Sequence, residues 1–303
     1  MAATDDSADD DALFVLTAAL LTPAQFPAVL GDDYAQACDV LGLEPYPGGY
    51  GLVMGQDGTG ARWTVVVDDV SLVAVAIASW DCGMEYDLSP DERTVVSALP
   101  GWPLALSVAA PGVPAPHDPE PAEAGSAGDF QDIGAEAGAG QNTVRLPLSP
   151  PDTGAWGPAQ RRLGADEVAL QWGAWRERFE GAESAGEPAA EAPDAPGPAA
   201  SDAEGDGPPA PSHPGVARAL AELRAYVDAD TAPPPLGRVR SGFAPDEART
   251  LRADGPGWSF VARTDDMAFV LLDEEPGEVL PVGRGARLPG LLTALDGIAV
   301  RPA

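Results

Sequence analysis

Pro90-Asp91-Glu92-Arg93-Thr94-Val95, followed by Pro100-Gly101-Trp102, returns later in the chain as Pro245-Asp246-Glu247-Ala248-Arg249-Thr250-Leu251 followed by Pro256-Gly257-Trp258, with one residue inserted in each of two places. The reading of this pair decides the fold. Ser89-Pro90-Asp91-Glu92 has the form of a capping box with proline at the first helical position, so it predicts a helix over 90–99, stopped by Pro100-Gly101. A strand over 102–108 then returns to the sheet. Around the second copy the order agrees: strand 71–79 answers 237–243, strand 102–108 answers 258–263, and 144–148 answers 267–272. The helix near 166–179 answers 288–295. A competing register sets Trp63 and Asp68-Asp69 against Trp258 and Asp265-Asp266; it accounts for fewer elements.

Upstream, Leu13, Leu16 and Leu20 recur at helical spacing. Thr22-Pro23-Ala24-Gln25 offers a second capped helix start, and Asp32 or Asp33 caps a segment that Gly42 ends. Strands over 50–54, 62–67 and 71–79 make a meander. Downstream, Val216, Leu220, Leu223 and Val227 form the apolar stripe of a helix over 214–227 that needs a sheet to cover. The expected fold class is α+β: two related domains, each an antiparallel sheet with helices packed on one face, joined by a disordered acidic Pro/Ala-rich linker. The expected boundaries are a disordered tail 1–11, a first domain 12–180 with a disordered insertion 111–141, a linker 181–212 and a second domain 213–303. The linker has no Leu, Ile, Val, Phe or Trp and cannot offset its ordering entropy. In element order the unit resembles the small secretion chaperones and YbjN-like proteins, a resemblance that implies binding of other proteins through sheet and helix surfaces and rests on no sequence motif.

Composition removes several chemistries. All 17 basic residues are Arg, so Schiff-base and phosphate-loop lysines are absent. The two histidines, His117 and His213, lie beside prolines in low-complexity sequence, away from any expected core. That leaves no histidine triad or zinc site to argue for, and no cofactor is expected. The net charge is −31, and tail, insertion and linker carry 18 of those charges. Without a basic stripe to release counterions, nucleic acid and anionic membranes are not expected partners. Two cysteines, an acidic N-terminus unlike a signal peptide, and apolar runs about half the roughly 20 residues of a bilayer span point to the cytoplasm.

Three places carry candidate chemistry. The helix over 166–180 sets Val168, Trp172, Trp175 and Phe179 on one stripe with Arg176 beside it; this is either the lid of the first domain's core or an anchor for a partner. The loop Trp80-Asp81-Cys82-Gly83-Met84-Glu85-Tyr86-Asp87 gathers three carboxylates and two aromatics. Asp81, Glu85 and Asp87 are the acid and base candidates if the protein is an enzyme. Arg284 and Arg287, in a glycine loop before the last helix, form the one anion-binding candidate. Asp68-Asp69 and Asp265-Asp266 read as turns, not metal ligands, and no metal site is expected. The function expected from all this is a non-enzymatic adaptor or regulatory protein that binds a protein partner through a sheet face or the tryptophan helix. The alternatives are a carboxylate-based hydrolase at loop 80–87 and an acidic decoy of nucleic acid. Oligomeric state is not legible.

Overall fold

The computed structural model describes residues 12–84, 86, 88, 90–121, 146–152, 154–184, 213–228, 230, 232–245 and 247–302. The fold is α+β with two antiparallel sheets, in two compact units. Met1–Gln160 with Pro235–Arg238 and Val300–Ala303 form the first, and Arg161–Pro234 with Val239–Ala299 the second. The expected tail 1–11, residues 122–141 of the expected insertion and residues 185–212 of the expected linker lie outside the described residues.

The first unit holds a four-stranded meander, β1 (Phe14–Leu21), β2 (Tyr50–Gln56), β3 (Arg62–Val67) and β4 (Val95–Pro100), in that spatial order. Neighbouring residues of β2 point to opposite faces, as strand geometry requires. Leu52 enters a core with Tyr34, Ala37, Cys38 and Leu41 of α1 (Tyr34–Leu41), while Val53 enters a core with Val73 and Ala76 of α2 (Val70–Asp81). Helices therefore cover both faces of this sheet, not one as expected. The Asp33 carboxylate caps α1 by accepting from the Gln36 N–H at 2.8 Å, and Gly42 ends the helix at φ 66°. Gly51 lets α2 approach: a Cβ there would stand 2.3 Å from Val73 Cγ2.

Several expected elements differ. The stretch with Leu13, Leu16 and Leu20 forms the strand β1, Phe14–Leu21, with a β-bulge between Val15 and Thr17, not a helix. Leu13 and Val15 before the bulge face α2, and so do Ala18 and Leu20 after it, because the extra residue Leu16 switches parity. That switch imitates helical spacing. Thr22 to Gln25 closes a tight turn instead of starting a helix, with the Gln25 N–H on the Thr22 carbonyl at 3.1 Å. Residues 71–79 belong to α2, because the Asp69 carboxylate accepts from the Ser71 and Leu72 N–H groups. The capping box at 90–99 closes only a 3-10 turn, Glu92–Thr94, after which β-branched Val95 and Val96 pair with β3 as β4. Residues 102–108 form no strand, and 111–121 are ordered: His117 bridges Ala61 beside β3, and Gln56 Nε2 donates to the Pro114 carbonyl at 3.1 Å.

The second unit is a five-stranded meander, β5 (Val239–Phe243), β6 (Arg249–Gly255), β7 (Trp258–Arg263), β8 (Ala268–Leu272) and β9 (Glu275–Val282). Trp258, Phe260, Ala262, Val270 and Leu272 face α5 (Pro214–Val227) and α6 (Leu288–Ile298). The alternate residues Val261, Phe269 and Leu271 face α3 (Pro158–Leu170) and α4 (Trp172–Ser184), so this sheet too is covered on both sides. The 166–180 stretch, expected in the first domain as one helix, is interrupted at Gln171 and packs on the second unit's sheet. After Pro245 the chain forms β6, where the repeat predicts a helix. What the two copies share is local: Pro-Gly turns with Gly101 at φ 83° and Gly257 at φ 80°, each followed by a buried tryptophan. The element order on which the chaperone resemblance rested is not the order observed.

Candidate functional site

A groove lies beside β1. It has a volume of about 330 Å³ and is lined by Val15 to Ala18 of the strand, Ala76, Ile77, Trp80 and Asp81 of α2, and Tyr86 and Leu88 beyond it. Among the described residues β1 is hydrogen-bonded only to β2, so its other side is a sheet edge. The end of α2 aims the aromatics. Gly83, at φ 71°, sends its N–H to the Trp80 carbonyl at 2.9 Å, and the Met84 N–H reaches the Ser79 carbonyl at 2.8 Å, the paired bonds of a Schellman ending. Trp80 is left 79% exposed, with Met84 and Tyr86 exposed nearby.

This is the loop that sequence reading singled out, but its chemistry is narrower than three carboxylates. Asp81 is the carboxylate among the described residues that line the groove; Glu85 and Asp87 lie outside the described residues. No acid and base pair is therefore in place among them. Cys82 is an exposed free thiol, and Cys38 a buried one. Burial pushes the Cys38 thiol up, away from a reactive thiolate.

The tryptophan helix is already occupied. Val168 and Trp172 are buried against Val261, Phe269 and Leu271, with the Trp172 ring 5.1 Å edge-on to Phe269 and the half-buried Phe179 ring 5.4 Å from it. The Trp172 indole N–H donates to Asp266 Oδ2 at 3.1 Å, and Arg176 Nε meets the same oxygen at 3.2 Å. Trp175 is half-buried and stacks with Phe179. Arg284 and Arg287 are both exposed; Arg284 donates to the Asp265 carbonyl, and Arg287 occupies the N-cap of α6 with no side-chain capping bond.

Sequence reading missed a buried charged cluster on the same sheet face as the tryptophan helix. Arg161 Nε donates to Asp273 Oδ1 at 2.7 Å, and its Nη1 to Ser259 Oγ at 2.6 Å. Ser259 Oγ donates to Asp254 Oδ1 at 2.6 Å, and Arg240 Nη2 to Asp254 Oδ2 at 3.0 Å. Arg162 Nη2 stands 3.5 Å from that same oxygen, and Arg252 Nη2 bridges to Asp166 at 3.1 Å. Burial alone would push the Asp254 carboxyl up; Arg162, Arg252, Arg240 and the Ser259 hydroxyl outweigh it and hold the group well below the usual carboxylate range. Burial also lowers the Arg252 guanidinium from its ordinary value, against the pull of Asp254 and Asp166. The one legible signal was polar alternation on β6, where Arg252 and Asp254 interleave with Leu251 and Ala253. His213, expected outside any core, caps α5 by accepting from the Val216 N–H and meets Glu275 Oε1 at 2.5 Å.

Among the described residues no three His, Cys, Asp or Glu side chains gather closely enough to hold a metal ion, and no helix is long and apolar enough to cross a membrane. Comparison of the chain with protein-family models, with curated proteins and with solved structures returns no match in any of the three.

Proposed function

We propose that this chain is a non-enzymatic protein-interaction protein, an adaptor or regulatory subunit, that takes an extended segment of a partner along the free edge of β1 and seats an apolar side chain of it in the groove against α2. The observation that carries this reading is Trp80, 79% exposed beside a groove of mixed polar and apolar lining, at a sheet edge that no other described strand pairs with. A large aromatic left in water next to such a groove is the usual form of a recognition anchor. Strand addition supplies affinity through main-chain hydrogen bonds, and the pocket supplies specificity. Both sheet faces and the tryptophan helix are packed within their own units, so the edge takes the role the sequence gave to a face.

The free thiols favour a reducing compartment, and we place the protein in the cytoplasm. The net charge of −31 argues against nucleic acid and membrane as partners. Two related interaction units on an acidic tether belong to the same proposal, supported by the shared Pro-Gly-Trp turn. Selection of linear peptides from a displayed random library, followed by calorimetric titration against the full chain, tests it. Selected peptides are expected to lose about tenfold or more in affinity for Trp80→Ala, the scale of a hot-spot truncation. Failure to select any linear peptide, or equal affinity for the variant, overturns the proposal.

A further inference from the structure

Resting on the groove reading above, we infer that the extended segment taken up is β1 of a second copy of this chain, paired antiparallel about a two-fold axis so that two four-stranded sheets become one of eight. The edge is of the kind that pairs with itself. Natural sheet edges are kept apart by charges, prolines and bulges. Here 12–31 carries no charged residue, and β1 has no proline. The bulge at Leu16 spoils one end, but Thr17 to Leu21 pairs in unbroken register with β2 and offers an equally regular outer side. A linear peptide must lose its backbone freedom to dock there, whereas β1 of a second copy is already extended.

The helix above the edge fits the same operation. α2 rests mainly on β1 and less on β2, and it carries no charge from Val70 to Trp80. Strands stand about 4.8 Å apart, so a helix between the first two lies roughly 5 Å from a two-fold axis just beyond the edge. Two such helices are then about 10 Å apart, the spacing of packed helices. Ile77 and Asp81 line the groove together with β1, and Val70 and Ala74 continue their stripe toward the start of the helix, at i, i+4, i+7 and i+11. The two helices run antiparallel, so Trp80 at the end of one meets Val70 and Ala74 at the start of the other and leaves the water. The two Asp81 carboxylates fall at opposite ends of the pair, about 16 Å apart along it and beyond the Debye length of about 8 Å. Strand and helix contacts bury the same patch on each copy, as a closed two-fold dimer requires.

Equilibrium sedimentation of the full chain tests this. A dimer is expected with a dissociation constant of about 10 µM or below, the weak end for an interface of standard size. Ala74, Val75 and Trp80 are all exposed, so substitutions there leave the fold in place. Ala74→Glu, which sets a carboxylate between the helices, and Trp80→Ala are each expected to weaken the dimer about tenfold or more. Val75→Glu, on the far side of α2, leaves it unchanged. A monomer at every concentration, with library-selected peptides still bound through Trp80, would overturn the second copy and leave the groove reading standing. A monomer that binds no such peptide would overturn both. A dimer that Ala74→Glu and Trp80→Ala leave intact, or that Val75→Glu breaks equally, would put the interface elsewhere and overturn the inference.

Discussion

Replacing Asp254 by Asn removes one negative charge from the interior of the second unit and almost nothing else. The carboxylate is fully buried, and four donors converge on it: Ser259 at 2.6 Å, Arg240 at 3.0 Å, Arg162 at 3.5 Å and Arg252 at 4.0 Å. The amide keeps an oxygen for the Ser259 hydroxyl, so the substitution isolates the charge. What it leaves behind is three guanidiniums in a low-dielectric space. Arg252 is the least compensated, since its Nε and Nη1 have no hydrogen-bond partner among the described residues. Breaking a buried ion pair by removing one partner costs about 3–5 kcal/mol. At roughly 2–4 °C per kcal/mol for a chain of this size, Tm should fall by about 10 °C.

A pH series separates this cause from a loss of packing. The folded Asp254 carboxyl titrates below the unfolded value of about 3.9, so the folded state holds fewer protons than the unfolded state as pH falls through that value. Its stabilisation is complete above about pH 4 and is lost as pH drops through the lowered folded value. Once protonated, Asp254 resembles Asn. The gap between the two proteins should therefore be widest at neutral pH and close on acidification, read from urea denaturation followed by tryptophan emission. A gap under about 1 kcal/mol at pH 7, or parallel curves from pH 7 down to pH 3, would refute the account of this cluster.

Two further perturbations test the packing. Trp172→Ala empties the contact with Phe269 and should lower stability by about 3–5 kcal/mol in thermal melts; unchanged stability would mean that the helix is not held on that sheet. Gly51→Ala places a methyl group 2.3 Å from Val73 Cγ2 and should cost about 1–3 kcal/mol, with Val73→Ala recovering much of the loss in a double-mutant cycle. Strict additivity of the two changes would dismiss the clash.

Where sequence reading succeeded, one period and one stop signal agreed. Asp33 and Gly42 frame α1, the alternation over 62–67 matches β3, and the 214–227 stripe is α5 resting on the second sheet. It failed where two periods were superimposed. On β1 the bulge moves the buried positions from odd to even, so a strand mimics a helix. The run from Val70 to Ala78 is apolar all round and has no period to read, and its fate rests on the Asp69 cap. At 90–99 and 245–255 the capping chemistry is local, and β-branched or sheet-paired residues take over within one turn. Local cap rules thus lost to pairing partners far away in the chain.

The site divides along the same line between what is local and what depends on distant chain. Loop 80–87 was visible because its aromatics and turn residues are contiguous, whereas the buried charged cluster was not, because its members come from residues 161 to 273 and meet only through the fold. Those members also change the meaning of the composition. Arg161, Arg162, Arg240 and Arg252, four of the 17 basic residues, are drawn into one interior cluster. Others are paired elsewhere, as Arg238 with Asp33 at 2.6 Å, Arg249 with Asp296 at 3.0 Å and Arg218 with Glu274 at 3.0 Å. Arg suits this use, because its planar fork stays charged and satisfies several oxygens at once where a lysine would lose its proton on burial. Held against carboxylates and the Ser259 hydroxyl of the second unit's own interior, Asp254 above all, the guanidiniums of this cluster fix α3 on the sheet and are not offered to a partner's phosphates or carboxylates.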